Sequence, residues 1–215
     1  ISRPSVGIRG GRGFSHDTAP WEVIVSARWF VVVVASAVVA SAAHADVDLA
    51  VHGGTVRGTY SLKAGGVDAG STGTGTRGSL GFDETYRVSP RIAIGLVQRL
   101  TFGVAEDING DSATELDLAV RLMSGHTYPN RTFLYGLGDV GYSRLFMPDT
   151  AAALKPSGLI VGFGGGFRFP LYGRAFFGMS VGAQFGFQGG ELSDGGDYTL
   201  STTLYHGEAF VGVRL

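Results

Sequence analysis

Over residues 157–215 apolar and polar side chains alternate with a period of two, and that pattern limits the chain more than any other feature. Leu159, Val161, Phe163, Phe167 and Phe169, then Ala175, Phe177, Met179, Val181, Ala183, Phe185 and Phe187, fall on one face. Gly162, Gly164, Gly166, Arg168, Arg174, Ser180, Gly182 and Gln184 fall on the other. Successive side chains leave a pleated strand on opposite sides, so period two predicts β-strand. Strands with arginine and glycine sharing one face fit an inverted barrel, whose apolar side meets lipid.

Other classes fall away on composition. Glycine is abundant at 36 residues, charged residues are 16% and prolines number 7, which fits neither a disordered nor a collagen-like chain. Without cysteine there is no disulfide framework and no thiolate zinc site. The formal net charge is −1 and no basic run points to nucleic acid.

Residues 28–45 read RWFVVVVASAVVASAAHA, a basic residue followed by an uncharged apolar stretch and Ala43-His44-Ala45. That is the pattern of a secretory signal peptide, with cleavage expected after Ala45. The apolar stretch falls short of the roughly 20 residues that a membrane-spanning helix needs. Residues 1–22 are expected to be an extension outside the mature protein, 23–45 the signal peptide, and 46–215 the barrel. The mature chain then carries 13 Lys and Arg against 16 Asp and Glu.

Eight strands are predicted, at about 47–57, 79–88, 91–104, 114–125, 131–145, 157–169, 172–188 and 201–215. Each reaches the roughly 9–11 residues that a tilted strand needs to cross a bilayer. The joints between them alternate. Ser89-Pro90, residues 126–130 and Pro170-Leu171 are short, whereas 58–78, 105–113, 146–156 and 189–200 are longer and rich in Gly, Ser, Asp and Ala. Alternating lengths place the long joints at one end, the sidedness of an outer-membrane barrel with short periplasmic turns.

The fourth strand points Leu116, Leu118, Val120 and Leu122 one way and Glu115, Asp117, Ala119 and Arg121 the other; the third and eighth divide similarly. Glu84 and Gln98 are exceptions on the apolar face. The strand at 131–145 does not phase cleanly, which leaves its facing open and admits a bulge. A soluble barrel would show the same alternation with the faces exchanged. Against it, the charged faces are too glycine-rich for a solvated surface. Aromatics also gather at both strand ends: Tyr86, Phe133, Phe167, Phe169 and Tyr172 at one, Phe102, Phe185, Phe187 and Tyr205 at the other.

On these features the mature chain resembles the small eight-stranded outer-membrane barrels of the OmpA, OmpX and OmpW kind. Its last strand, YHGEAFVGVRL, is similar to the signal read by the barrel-assembly machinery, with Leu215 where Phe or Trp is usual. The expected fold is therefore all-β: an eight-stranded antiparallel up-and-down transmembrane β-barrel preceded by a cleaved signal peptide. The resemblance implies the outer membrane of a Gram-negative bacterium, a monomer, and contact with outer-membrane lipid, lipopolysaccharide and the assembly machinery. It implies no cofactor.

An eight-stranded barrel has an interior that side chains just fill. Asp48, Arg87, Arg99, Glu115, Asp117, Arg121, Arg168, Arg174, Glu208 and Arg214 are expected to form an ion-pair network there, with Asp48 meeting Arg214 and Arg99 meeting Glu115 or Asp117. Asp83, Arg91 and the histidines His52 and His206 are expected to face the same lumen. Such a network either plugs the barrel or forms a gated path for small ions. The histidines with Glu208 suggest hydrogen bonding more readily than a metal site. Ser180 and Ser201 lack a compelling spacing to His206, so catalysis is not the expected role. Asp107, Asn109 and Asp111 have the spacing that opens a calcium loop, but Ser112 and Leu118 replace its glycine and bidentate glutamate. The long joints hold Asp68, Glu106, Asp107, Asp111, Asp149, Glu191, Asp194 and Asp197 against Lys63, Arg77 and Lys155, and are the expected site of a structural, adhesive or surface-interaction role with an extracellular partner. The competing functions are a narrow channel for ions or small solutes and, second to it, a lipid-modifying outer-membrane enzyme.

Overall fold

The computed structural model describes residues 47–106, 112–146, 156–191 and 196–215. The N-terminal extension, the signal peptide, and Asp107, Asn109 and Asp111 of the calcium-like segment lie outside them. Eight strands follow in chain order: β1 (Val47–Ala64), β2 (Val67–Arg87), β3 (Ile92–Glu106), β4 (Ser112–Thr127), β5 (Phe133–Phe146), β6 (Ser157–Pro170), β7 (Ala175–Glu191) and β8 (Asp197–Arg214). Each pairs antiparallel with the next, and β8 returns to β1 to close the barrel. The closing seam runs from Asp48 opposite Arg214 to Ala64 opposite Tyr198. Full closure leaves no sheet edge within the wall, which a chain in hydrocarbon requires because lipid offers no hydrogen bonds.

Three tight turns join β2 to β3, β4 to β5 and β6 to β7. They are closed by Val88 N–H donating to Ile92 O (3.0 Å), Tyr128 N–H to Thr132 O (2.9 Å) and Leu171 N–H to Ala175 O (2.9 Å). The opposite end departs from the sequence reading. Residues 58–78 are not a loop: β1 and β2 run on as a hairpin and reverse at Gly65-Gly66, whose φ angles are 56° and 80°. Consecutive positive φ angles suit a two-residue turn matched to strand twist, and glycine adopts them without steric cost. Most of 189–200 is likewise strand.

The hairpin has a register shift between Val56 and Gly58. There the Thr74 hydroxyl accepts from Gly58 N–H (2.9 Å) and donates to Gly58 O (3.3 Å), so polar groups at the irregularity are satisfied. The shift also changes phase. Ser79, Asp83 and Thr85 are buried in the lower half of β2 but Thr74 in the upper, and a loop-like composition gave no warning of this.

β5 is continuous and without the bulge that its sequence admits: its register against both neighbours contains no shift. Phe133, Tyr135, Leu137, Asp139, Ser143 and Leu145 are buried inside; Leu134, Val140, Tyr142 and Phe146 are exposed outside. Both faces carry apolar side chains, which is why alternation alone could not orient it. Phe133 is thereby corrected: it is 2% exposed within the barrel and does not belong to the outer aromatic girdle.

The outer wall exposes Val51, Leu80, Ile94, Leu96, Leu118, Val120, Leu122, Leu134, Val140, Leu159, Phe163, Val181 and Val211. So continuous an apolar surface exceeds the patches that soluble monomers tolerate, and it fits a lipid band. Tyr86, Phe169 and Tyr172 are exposed towards the tight-turn end; Phe102, Tyr142, Phe146, Phe187 and Tyr205 are exposed towards the other.

Candidate functional site

The lumen is filled in layers. Near the tight turns, Asp48 is shared by three guanidinium groups: Arg214 Nε donates to Oδ1 at 2.7 Å, Arg168 Nη1 to Oδ2 at 2.9 Å and Arg87 Nε to Oδ2 at 3.4 Å. Arg168 also sits over Phe176 (5.2 Å), Phe210 (5.7 Å) and Tyr135 (5.9 Å), and Arg87 over Phe133 (4.9 Å). Aromatic faces are negative, so they accommodate cations that have lost part of their hydration. These rings belong to a buried cluster with Ala50, Ala93, Met123 and Leu137 that closes this end.

The middle layer centres on Arg121. Its Nε and Nη2 donate to the two oxygens of Asp139, both at 2.8 Å, and Nη1 donates to Asp83 at 2.9 Å. A bidentate arginine–carboxylate pair is the stronger, geometrically specific kind of charge-assisted hydrogen bond. His52 lies between Asp83 (3.2 Å) and Glu208 (3.5 Å), and His206 is 3.9 Å from Glu208. Arg99 donates to Glu208 at 2.6 Å and to Gln184 Oε1 at 2.9 Å, with Asp117 at 3.7 Å; Gln184 Nε2 donates to Asp117 at 3.0 Å.

Above them Glu115, fully buried, accepts from the Tyr60 hydroxyl (2.6 Å), Ser143 (2.7 Å) and Gln188 (3.1 Å). Three hydrogen-bond donors solvate this carboxyl where no arginine reaches it. Val56, Tyr60, Val104, Ala113, Leu145 and Leu204 then form a second apolar cluster beneath the outer mouth.

The sequence-derived set divides accordingly. Asp48 and Arg214 meet. Arg99 meets Glu208 first and Asp117 second, not Glu115, which turns to neutral donors. Arg87, Arg121, Arg168 and Glu208 join the network, whereas Arg174 and Arg91 are corrections: both are exposed in the tight turns, outside the lumen. Asp139, Tyr60, Ser143 and Gln188 were missed. Asp139 opposes Arg121 on the adjacent strand, a legible sign once β5 is phased; Tyr60 lay in a segment read as loop. Ser180 donates to Glu208 (3.5 Å) and Ser201 is exposed on the outer face, so neither is hydrogen-bonded to a histidine. Among the described residues no group of histidine and carboxylate side chains has metal-binding geometry.

Glycines make room for the histidines. A Cβ at Gly81 would collide with the His52 ring and the Gln98 carbonyl oxygen, and one at Gly182 would press on His206. Gly81→Val is therefore expected to lower the unfolding free energy by about 2 kcal/mol, the scale of core overpacking. Urea unfolding in lipid vesicles measures it; an unchanged midpoint would show that His52 moves aside at no cost.

A closed antiparallel barrel of eight strands, apolar outside and charged inside, is a transmembrane β-barrel of the small outer-membrane kind. No family model matches the sequence, and no curated protein matches it. Among solved structures, the chain is similar to Neisserial surface protein A, with a TM-score of 0.55, 8% identity and coverage of 78% of this chain and 97% of that one. It is also similar to OprG from Pseudomonas aeruginosa (TM-score 0.46, 16% identity, 80% and 98% covered) and to Ail, the attachment invasion locus protein of Yersinia pestis (TM-score 0.38, 12% identity, 77% and 99% covered).

Proposed function

We propose that this chain is a closed barrel of the Gram-negative outer membrane that acts as a surface-interaction scaffold, without catalysis, through the segments beyond its long-joint end. One observation carries this reading: among the described residues the outer part of β2, Val67–Thr76, pairs with β1 alone, and the ladder between β2 and β3 begins at Ser79 opposite Thr101. A strand with one unpaired side displays backbone N–H and C=O groups that an extended partner segment can continue. The segment is Thr, Ser and Gly-rich and mostly exposed, so little side-chain bulk obstructs approach. Asp68 at its tip lies 3.6 Å from Lys63, which locally offsets the acidic character expected of this joint.

The layered lumen favours this reading over a channel. An ion would have to pass two apolar clusters and break the hydrogen-bonded charges between them. The test uses Gly73→Lys/Gly75→Lys, at two positions where a side chain meets open space or ordinary contact distances. Edge lysines discourage strand addition. Bacteria displaying the variant are expected to lose at least half of the adhesion that the parent chain confers, with both proteins electrically silent in planar bilayers. Unchanged adhesion would sink the edge; large steady conductance would instead support the channel.

A further inference from the structure

The tight-turn end carries chemistry that neither the closed lumen nor the projecting hairpin uses. Each of its three turns presents one exposed arginine: Arg91 between β2 and β3, Arg131 between β4 and β5, and Arg174 between β6 and β7. Among the described residues, the carboxylates nearest this rim are Asp48, already shared by Arg87, Arg168 and Arg214, and Glu84, one register position further from the turns; no ion pair joins either to the three turn arginines. Beside two of them stand exposed tyrosines, which favour a membrane interface: Tyr128 next to Arg131 and Tyr172 (97% exposed) next to Arg174; exposed Val88 lies next to Arg91. The turns adjoin the lipid-facing residues Ile92, Leu134 and Phe169, so they lie at the depth of lipid headgroups. Arg131 moreover has a φ of 63°, a conformation that costs a residue with a Cβ and that glycine or asparagine would take more easily.

We propose that these three turns form a docking ring for the phosphate groups of anionic phospholipids in the leaflet facing the tight turns. A guanidinium binds a phosphate through two parallel N–H donors, and tyrosine rings fix the barrel at the depth where that contact is made. The rim is thus an electrostatic anchor opposite in role to the hairpin, and it does not depend on what the hairpin binds.

The test compares wild-type barrel with Arg91→Gln/Arg131→Gln/Arg174→Gln in phosphatidylcholine vesicles containing spin-labelled phosphatidylglycerol or spin-labelled phosphatidylcholine. The ratio of motionally restricted label reports headgroup selectivity. Wild type is expected to prefer phosphatidylglycerol, with the preference falling roughly 5-fold per arginine lost and approaching 100-fold for all three. Raising salt to about 0.5 M is expected to weaken it in the wild type, since screening shortens the Debye length to a few ångströms. Inorganic phosphate at millimolar concentration should not displace the lipid; if it does, the ring is a site for free phosphate and the lipid assignment fails. Equal selectivity in wild type and variant, or a preference untouched by salt, would also overturn the proposal. Arg131→Gly separates binding from folding: it should raise the unfolding midpoint by relieving the backbone while lowering phosphatidylglycerol selectivity.

Discussion

Arg121→Met is expected to lower the unfolding free energy by about 3–5 kcal/mol, the largest loss from any single substitution in the lumen. Arg121 is 3% exposed and holds Asp139 and Asp83, which are 8% and 5% exposed. Taking the guanidinium away leaves Asp139 without a counter-charge and Asp83 with His52 as its only close partner, in a cavity that bulk water does not reach. The loss comes less from the missing hydrogen bonds than from the charges left behind. The variant Arg121→Met/Asp83→Asn/Asp139→Asn removes that burden and should recover at least half of the stability. Denaturant titration of vesicle-inserted protein, followed by the mobility shift of unboiled samples on gels, measures both. If the triple variant were no more stable than Arg121→Met, unpaired charge would not be the cause.

Asp48→Ala has the second largest expected effect, about 3 kcal/mol. Here the stranded charges are positive and unequal. Arg168 is 5% exposed, whereas Arg87 is 18% and Arg214 is 43% exposed, so the last two recover hydration that Arg168 cannot. Arg168→Met on the Asp48→Ala background should restore more stability than Arg214→Gln, and Arg214→Gln alone should cost under about 1 kcal/mol, as for an exposed pair. The same denaturant titration ranks them. A larger rescue by Arg214→Gln would mean that solvent access does not govern the cost.

Much of the wall was legible because lipid imposes one rule on every strand. Leu116 to Leu122 and Met179 to Phe187 could be oriented from alternation, and Ser89-Pro90 and Pro170-Leu171 marked turns because proline cannot continue a ladder. Three regions resisted for different reasons. β5 hid its facing because Phe133, Tyr135, Leu137 and Leu145 pack inward among the arginines, making its inner face as apolar as its outer one. The β1–β2 hairpin was hidden by composition: Gly, Ser and Thr read as loop, yet beyond the membrane a strand needs no apolar face. The ion pairs were hidden by reach. Arg99 and Glu208 lie on strands far apart around the wall and meet across the lumen, where adjacency in the sheet gives no guidance.

The distances along the chain between these partners set the order in which the barrel can mature. Arg214 and Asp48 are 166 residues apart, Arg168 and Asp48 are 120, and Arg99 and Glu208 are 109. The hairpin that turns at Gly65-Gly66 forms from neighbours alone, while each of these pairs waits for a distant segment. β8 supplies both Glu208 and Arg214, so until it arrives Arg99 and His52 lack a shared anion and Asp48 lacks one of its three cations. Completion of the barrel is therefore a single late event that the interior itself registers: the last strand neutralises charge at two depths as it zips against the first.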